Sequence, residues 1–158
     1  MYENSHTYFR DALAPGPSLN LATQRFLECL SKDMKGIPQE VRVAPGSKAQ
    51  VDLMDWVRDL LGTASTKAFM GVRLLQHDPD VISRLSQWDK DFHKLGAGLP
   101  RWLMKEAIQN LDKLHHAFES VGEDPETLPW VTRRIEMMEA KGMSDKDMGA
   151  AMFTLWVG

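Results

Sequence analysis

Apolar residues recur at intervals of three and four along most of this chain, and glycine or proline interrupts each series. This spacing gives each of several amphipathic helices one apolar stripe. Only Val41 and Val43 alternate as in a strand, which allows at most a short β segment near residues 40–44. The pattern predicts an all-α fold, an irregular bundle of about six helices, in a single helical domain over residues 1–158.

Capping residues, glycines and prolines set the boundaries of the predicted helices. Ser18 or Asn20 is predicted to cap the first helix, and Asp78 the third, with Pro79 at its first position. Ser144 with Asp147 resembles a capping box before the last helix. The helices are predicted at residues 18–34, 51–71, 78–95, 103–122, 125–142 and 144–157.

The last predicted helix differs from the others because it is apolar on nearly every side. Residues 148–157 carry no charge, and a helix of this kind is buried over most of its surface. A buried helix at the end of a chain needs cover from other elements. Either it is the central post of a small bundle, or a partner covers it.

Charge and cysteine content exclude several classes of protein. The chain has 19 Lys and Arg against 22 Asp and Glu, a net charge of −3, and no basic run, so binding to nucleic acid is not expected. Its single cysteine, Cys29, cannot form an internal disulfide, which predicts a reducing, cytoplasmic location. No apolar stretch reaches the roughly 20 residues of a transmembrane segment. Zinc-ligand spacing and phosphate-binding glycine loops are missing, so no metal and no cofactor are expected.

Several short segments of the sequence together carry a resemblance to a known family. They are residues 9–13, Pro15-Gly16 with Leu19, Phe26-Leu27, Val51-Asp52-Leu53, Trp56-Val57-Arg58, Ala64-Ser65-Thr66, residues 69–71 and residues 98–103. Together they resemble the fungal cytochrome P-450 haem-thiolate monooxygenases over most of the chain. The resemblance matches residues 18–35 with the D helix of that family, 51–72 with E, 78–95 with F, 102–121 with G, and 144 onward with the first half of I.

The haem-binding features of that family are missing from this sequence. Its members hold haem through a cysteine thiolate in a glycine-rich loop and carry a Glu-x-x-Arg helix. No Glu here is followed three places later by Arg, and Cys29 stands between Glu28 and Leu30 in a helical series. An iron without its thiolate lacks the electron donation that favours O–O cleavage. The resemblance therefore implies a truncated, haem-less relative that does not act as a monooxygenase.

Candidate catalytic residues lie on the third and last predicted helices. Asp89 and His93 are four residues apart on one helix face, and an imidazole oriented by a carboxylate is a candidate acid, base or hydrogen-bond donor. The neighbouring Lys90 and Lys94 also suit an ordinary solvated face. Thr154 is a further candidate donor.

Aromatic and methionine side chains form the candidate substrate-binding set. At helical spacing such a set also suits an ordinary core. The P-450 resemblance places the junction between the third and fourth helices, and the last helix, around the family's substrate pocket. The candidates are Trp88, Phe92, Leu95, Leu99, Trp102, Met148, Met152, Leu155 and Trp156.

Three functions fit these features. The first is a cofactor-independent enzyme of secondary metabolism that folds a terpenoid or polyketide-like substrate for a pericyclic cyclisation, such as an intramolecular Diels-Alder reaction. His93, Thr154 or the Trp102 indole N–H would polarise a conjugated carbonyl. The second is a dimeric protein that binds an apolar metabolite or serves as a scaffold, because apolar surface left by a missing haem half favours a homodimer. The third is an inactive fragment of a monooxygenase.

Overall fold

The computed structural model describes residues 14–35, 52–97 and 100–157. These residues form seven α-helices and two 3-10 segments without any strand, so the prediction of an all-α fold is confirmed. The possible β segment near residues 40–44 lies outside the described residues. Across the described ranges, no helix combines the length and the apolar character needed to cross a bilayer.

The helices are numbered here in chain order. They are α1 (Pro17–Lys35), α2 (Leu53–Met70), α3 (Arg73–His77), α4 (Val81–Gly96), α5 (Lys105–Phe118), α6 (Pro129–Ala140) and α7 (Asp145–Val157), with 3-10 segments at Arg101–Met104 and Glu119–Glu123.

The chain divides into two compact units, Met1–Phe69 and Met70–Gly158. The first contains α1 and all of α2 except its last residue, and the second contains α3 to α7. The single domain expected from the sequence stays a prediction.

In the first unit, α1 begins at Pro17, and the Asn20 N–H donates to the carbonyl of Gly16 at 3.0 Å. Ser18 and Asn20 therefore lie inside the helix, and the prediction that either one caps it is wrong. Proline suits the first helical position because it has no N–H and its φ is already helical. Of the predicted apolar stripe, Ala22 is buried, whereas Leu27 is 55% exposed.

A carboxylate cap and an ion pair fix α2. Asp52 accepts the N–H groups of Met54 at 2.9 Å and Asp55 at 3.0 Å, which makes it the N-cap of the helix. Near the other end, the Lys67 ammonium lies 2.7 Å from Asp33 Oδ1 and joins α2 to α1. Both ends of α2 are therefore held by side-chain carboxylates.

The second unit is built around α5, which packs against α3, α4 and α7. Leu114 and Phe118 of α5 are almost completely buried. On α7, Gly149 lies so near the carbonyl oxygen of His115 that a Cβ at this position would collide with it. The missing side chain lets α7 approach the end of α5 closely.

The start of α4 differs from the prediction. The helix begins at Val81 with Asp80 in the N-cap position, so the assignment of Asp78 and Pro79 as cap and first residue is wrong. The Asp78 carboxylate instead accepts the Asp80 N–H at 3.1 Å and the Arg84 Nε–H at 2.9 Å. The carboxylate thus joins the turn before α4 to a side chain of its first turn.

Local signals predicted the end of α6 and the start of α7, whereas α6 begins at Pro129 and not at the predicted residue 125. Pro129 is the first residue of α6, and Gly142, at φ +72°, follows its end. The Gly142 N–H donates to the carbonyl of Glu139 at 2.8 Å, as in a Schellman motif. Ser144 Oγ accepts the Asp147 N–H at 3.3 Å and donates to the Asp147 carboxylate at 2.7 Å. The predicted Ser144 cap is confirmed.

Candidate functional site

A cleft of about 400 Å³ lies in the second unit, between α3, the end of α5, α6 and α7. Its volume falls in the range of roughly 300–1,000 Å³ common for small-molecule sites. Its apolar lining consists of Phe118, Ile135, Met148 and Met152. These apolar side chains come from three different helices, and they share the lining with polar groups.

The polar lining of the cleft is acidic. It contains two imidazoles, His77 and His116, and three carboxylates, Glu119, Glu139 and Asp145. The described lining contains neither Lys nor Arg. Carboxylates grouped in a cleft focus a negative potential there, which favours ligands with a basic or hydrogen-donating group.

One of these imidazoles is held by a carboxylate. His116 Nδ1 lies 2.9 Å from Glu119 Oε2, one helical turn further along the chain. The ring of His77 meets that of His116 edge-on, with 5.9 Å between the ring centroids. Within the described part of the chain, no hydrogen bond to His116 Nε2 is present. The cleft therefore contains an imidazole with one nitrogen engaged and the other available.

An aromatic cluster of Trp88, His115, Phe118 and Phe153 joins α4, α5 and α7. The Phe153 ring is 5.1 Å from Trp88, 5.4 Å from His115 and 5.8 Å from Phe118, centroid to centroid. Phe153 is buried, and burial lowers the pKa of the neighbouring His115 below its usual range. The cluster is a packed core beside the cleft.

The predicted catalytic residues lie at the surface. Asp89 and His93 are both exposed on α4, and no hydrogen bond joins them in the described structure. Thr154 is exposed on α7, where its hydroxyl donates to the carbonyl of Ala150 at 2.9 Å. The structure does not bring these three side chains together with the cleft lining.

The carboxylate that α4 does bury is Asp91, two residues from the predicted Asp89. It accepts hydrogen bonds from Lys94 Nζ at 2.6 Å and Gln87 Nε2 at 2.8 Å. The bond from Lys94, and then that from Gln87, hold the pKa of Asp91 below its usual range. Both hydrogen-bond donors lie on α4, so Asp91 stabilises this helix locally.

The predicted substrate-binding residues are divided among several places. Met148 and Met152 line the cleft. Trp88 packs between the rings of Phe92 and Phe153. Phe92 itself is 58% exposed and Trp102 is 76% exposed. Leu99 lies outside the described residues, as do the side chains of Leu95, Leu155 and Trp156.

Sequence reasoning missed the His116–Glu119 pair and Phe153. The pair carried a visible signal, because an acid three residues after a histidine lies on the same helix face. Phe153 also stood one turn after Gly149 in the apolar last helix. Nothing in either local pattern distinguishes a side chain beside a cleft from one at the surface.

A metal site is not seen in the described part of the chain, where no group of three or more His, Cys, Asp and Glu side chains is placed to hold an ion. A second concavity, of about 720 Å³, runs along α1, and its described lining comes from that helix alone. The cleft in the second unit is therefore the better candidate. No family model, curated protein or solved structure matches this chain.

Proposed function

We propose that this protein binds a small hydrophobic molecule, of terpenoid or polyketide-like type, in the cleft of its second unit. The observation that carries the proposal is the apolar lining of Phe118, Ile135, Met148 and Met152. Methionine side chains adapt to irregular apolar shapes because they are unbranched and polarizable. The acidic residues at the same cleft would orient a ligand through its hydroxyl or amine groups.

We further propose that the bound molecule is held in a folded conformation that favours a cofactor-independent cyclisation of pericyclic type. Such a reaction requires two ends of one molecule to meet. Holding them in a near-attack geometry lowers the barrier by up to roughly 7–11 kcal/mol in the most favourable intramolecular cases. The cyclisation is supported by the sequence and by the apolar part of the cleft lining. A relationship to the P-450 monooxygenases is likewise a proposal, and it is supported by the sequence segments alone.

Binding is tested with farnesol, a linear terpenoid alcohol, and protein labelled with ¹³C in the methionine methyl groups. The Met148 and Met152 signals should shift saturably, because both side chains line the cleft, whereas the signal of the exposed Met54 in α2 should not. The variant Met148→Lys should weaken binding by about tenfold, since it places a charge on apolar lining. Met54→Lys is the matched control. Equal shifts at all methionines, or none, would overturn the proposal.

Turnover is tested separately with a linear polyene that carries a diene and a conjugated carbonyl. Cyclic product should form faster than in buffer, and Met148→Lys should reduce the difference. Saturable binding with product only at the spontaneous rate would remove the cyclisation and leave the alternative of a metabolite-binding protein.

We also propose the homodimer indicated by the sequence. Phe92, Trp102 and Leu103 are each more than half exposed, and exposed apolar side chains of this size favour association. Analytical ultracentrifugation should show a dimer that dissociates more readily in a Trp102→Ser variant than in the control Lys113→Ser. A monomer at all concentrations would overturn this proposal.

A further inference from the structure

We propose that His116 is a proton-transfer residue toward the molecule bound in the cleft, with Glu119 as its positioning residue. This inference rests on the proposed binding function. Neither residue belongs to the catalytic set predicted from the sequence. Both line the cleft that also contains Met148 and Met152.

The geometry of the pair favours one form of the ring. Glu119 Oε2 lies 2.9 Å from His116 Nδ1, and a carboxylate accepts a hydrogen bond from an N–H group. The neutral ring therefore carries its proton on Nδ1 and its free lone pair on Nε2. A base needs an available lone pair within reach of the proton it removes.

Glu119 is held in place by its surroundings. A Cβ on Gly149 would stand only 2.8 Å from Glu119 Cγ, so the glutamate lies directly at the close approach of α7 to the end of α5. Its side chain is 25% exposed, whereas that of His116 is 72% exposed. The carboxylate is thus confined while the imidazole stays open to an incoming molecule.

The surroundings of His116 differ from those of the predicted pair on α4. Asp89 and His93 are both exposed and do not line the cleft. A molecule in the cleft would lie beside His116 and displace water from the part of the ring that faces the lining. Removing water strengthens the electrostatic interactions of a catalytic group.

The inference is tested with 5-nitrobenzisoxazole, a small neutral aromatic probe of general bases. His116 Nε2 takes the proton from its C3 carbon, and the C–H electron pair forms the nitrile bond. The ring N–O bond breaks at the same time and its electrons leave on the oxygen. The product, 2-cyano-4-nitrophenolate, absorbs visible light and gives the rate directly.

The rate of phenolate formation should saturate with the concentration of 5-nitrobenzisoxazole. The variant His116→Gln should lower this rate by about tenfold or more. Glu119→Gln, which keeps the shape and removes the charge, should lower it several-fold. It should also change the ¹⁵N shifts of the His116 ring toward a mixture of tautomers, a signature that packing alone would not produce. Lys113→Gln, an exposed change elsewhere on α5, is the matched control and should leave the rate unchanged.

Binding is measured in parallel with 5-nitroindazole, which has an N–H in place of the ring oxygen and does not open. Saturable shifts at the Met148 and Met152 methyl groups, combined with a rate that His116→Gln does not change, would overturn the inference and leave the binding function standing. Absence of a saturable rate, with the farnesol shifts at Met148 and Met152 still present, would overturn the inference alone. Absence of the farnesol shifts as well would overturn both.

Discussion

The Asp124 carboxylate lies against Gly71, so closely that a Cβ at this glycine would collide with it. One oxygen of the carboxylate accepts the Arg73 N–H at 2.8 Å, across 51 residues of sequence, and the other accepts the Glu126 N–H at 2.8 Å. Gly71 itself has φ +84°. The buried Asp124 carboxylate thus holds the start of α3 and also stabilises the turn that begins at Asp124 itself.

Gly71→Ala should lower the free energy of unfolding by about 3 kcal/mol, through the left-handed backbone conformation and the collision with Asp124. Gly142→Ala is the matched control, because Gly142 has φ +72° and no atom within 4 Å of the added carbon. This variant should lower the free energy of unfolding by only about 1–2 kcal/mol, from the left-handed backbone conformation alone. Equal losses in urea unfolding would show that the contact with Asp124 contributes nothing.

Asp124→Ala should lower the free energy of unfolding by about 3 kcal/mol, since it leaves two backbone N–H groups without their acceptor at a residue only 5% exposed. Asp52 also accepts two backbone N–H groups, but at an exposed helix start. Water replaces an exposed cap, so Asp52→Ala should cost about 1 kcal/mol. Urea unfolding of both variants gives the comparison, and the reverse order would contradict it.

Gly149→Ala should destabilise the protein by about 2 kcal/mol, because the added carbon meets the carbonyl oxygen of His115. In an unobstructed helix interior the same change stabilises by about 1 kcal/mol. The sign of the change in the denaturation midpoint is therefore the test. A more stable variant would mean that α7 is not held close to α5 at this point.

Burial lowers the pKa of His115 below 6.5, with a further lowering from Lys146 and an opposing effect from Asp112. Protonation is then less favourable in the folded protein than in the unfolded chain. Stability is fully present above the unfolded pKa and declines as the pH falls from about 6.5 through the folded value. The variant His115→Gln should show a flatter decline, measured as the urea midpoint against pH. A decline as steep as that of the wild type would contradict the assignment to His115.

Asp91 makes the stability of the protein depend on pH in a second, more acidic range. Its hydrogen bonds from Lys94 and Gln87 hold its pKa below 3.8. The stability that it contributes is present above the unfolded value and is lost as the pH falls below about 3.8 through the folded pKa. The variant Asp91→Asn should lose less stability at low pH than the wild type, measured as the urea midpoint against pH. Asp89→Asn, at an exposed neighbouring position, should leave this loss unchanged, and a similar effect of both substitutions would contradict the assignment.

The elements that the sequence predicted well are those with local causes. In α6, Pro129 begins the helix and the apolar series of Val131, Ile135 and Met138 is buried as predicted. Gly142 and Ser144 act within one turn of the chain. Hydrogen bonds within one turn join residues that are close in the sequence, so the sequence alone is enough to predict them.

The errors have distant or competing causes. The short helix α3 was not predicted, and its first N–H is accepted by Asp124, 51 residues away. At α4 the error is one of position: Asp78 Oδ1 still accepts a backbone N–H, that of Asp80, while Oδ2 accepts from Arg84, and the helix begins at Val81. Helix existence was therefore predicted better than helix ends.

Spacing alone determined that this chain forms helices with apolar faces, because each backbone hydrogen bond of a helix joins residues four apart. It also indicated that a histidine beside an acid on one helix face was a candidate site. Which pair faces a cleft was decided only by tertiary structure. Both histidines are exposed, but Asp89 and His93 lie on α4 away from the cleft lining, whereas His116 and Glu119 lie where α3, α5, α6 and α7 converge. A cleft exists only where elements far apart in sequence pack together, and the repeat within one helix does not specify which elements will meet.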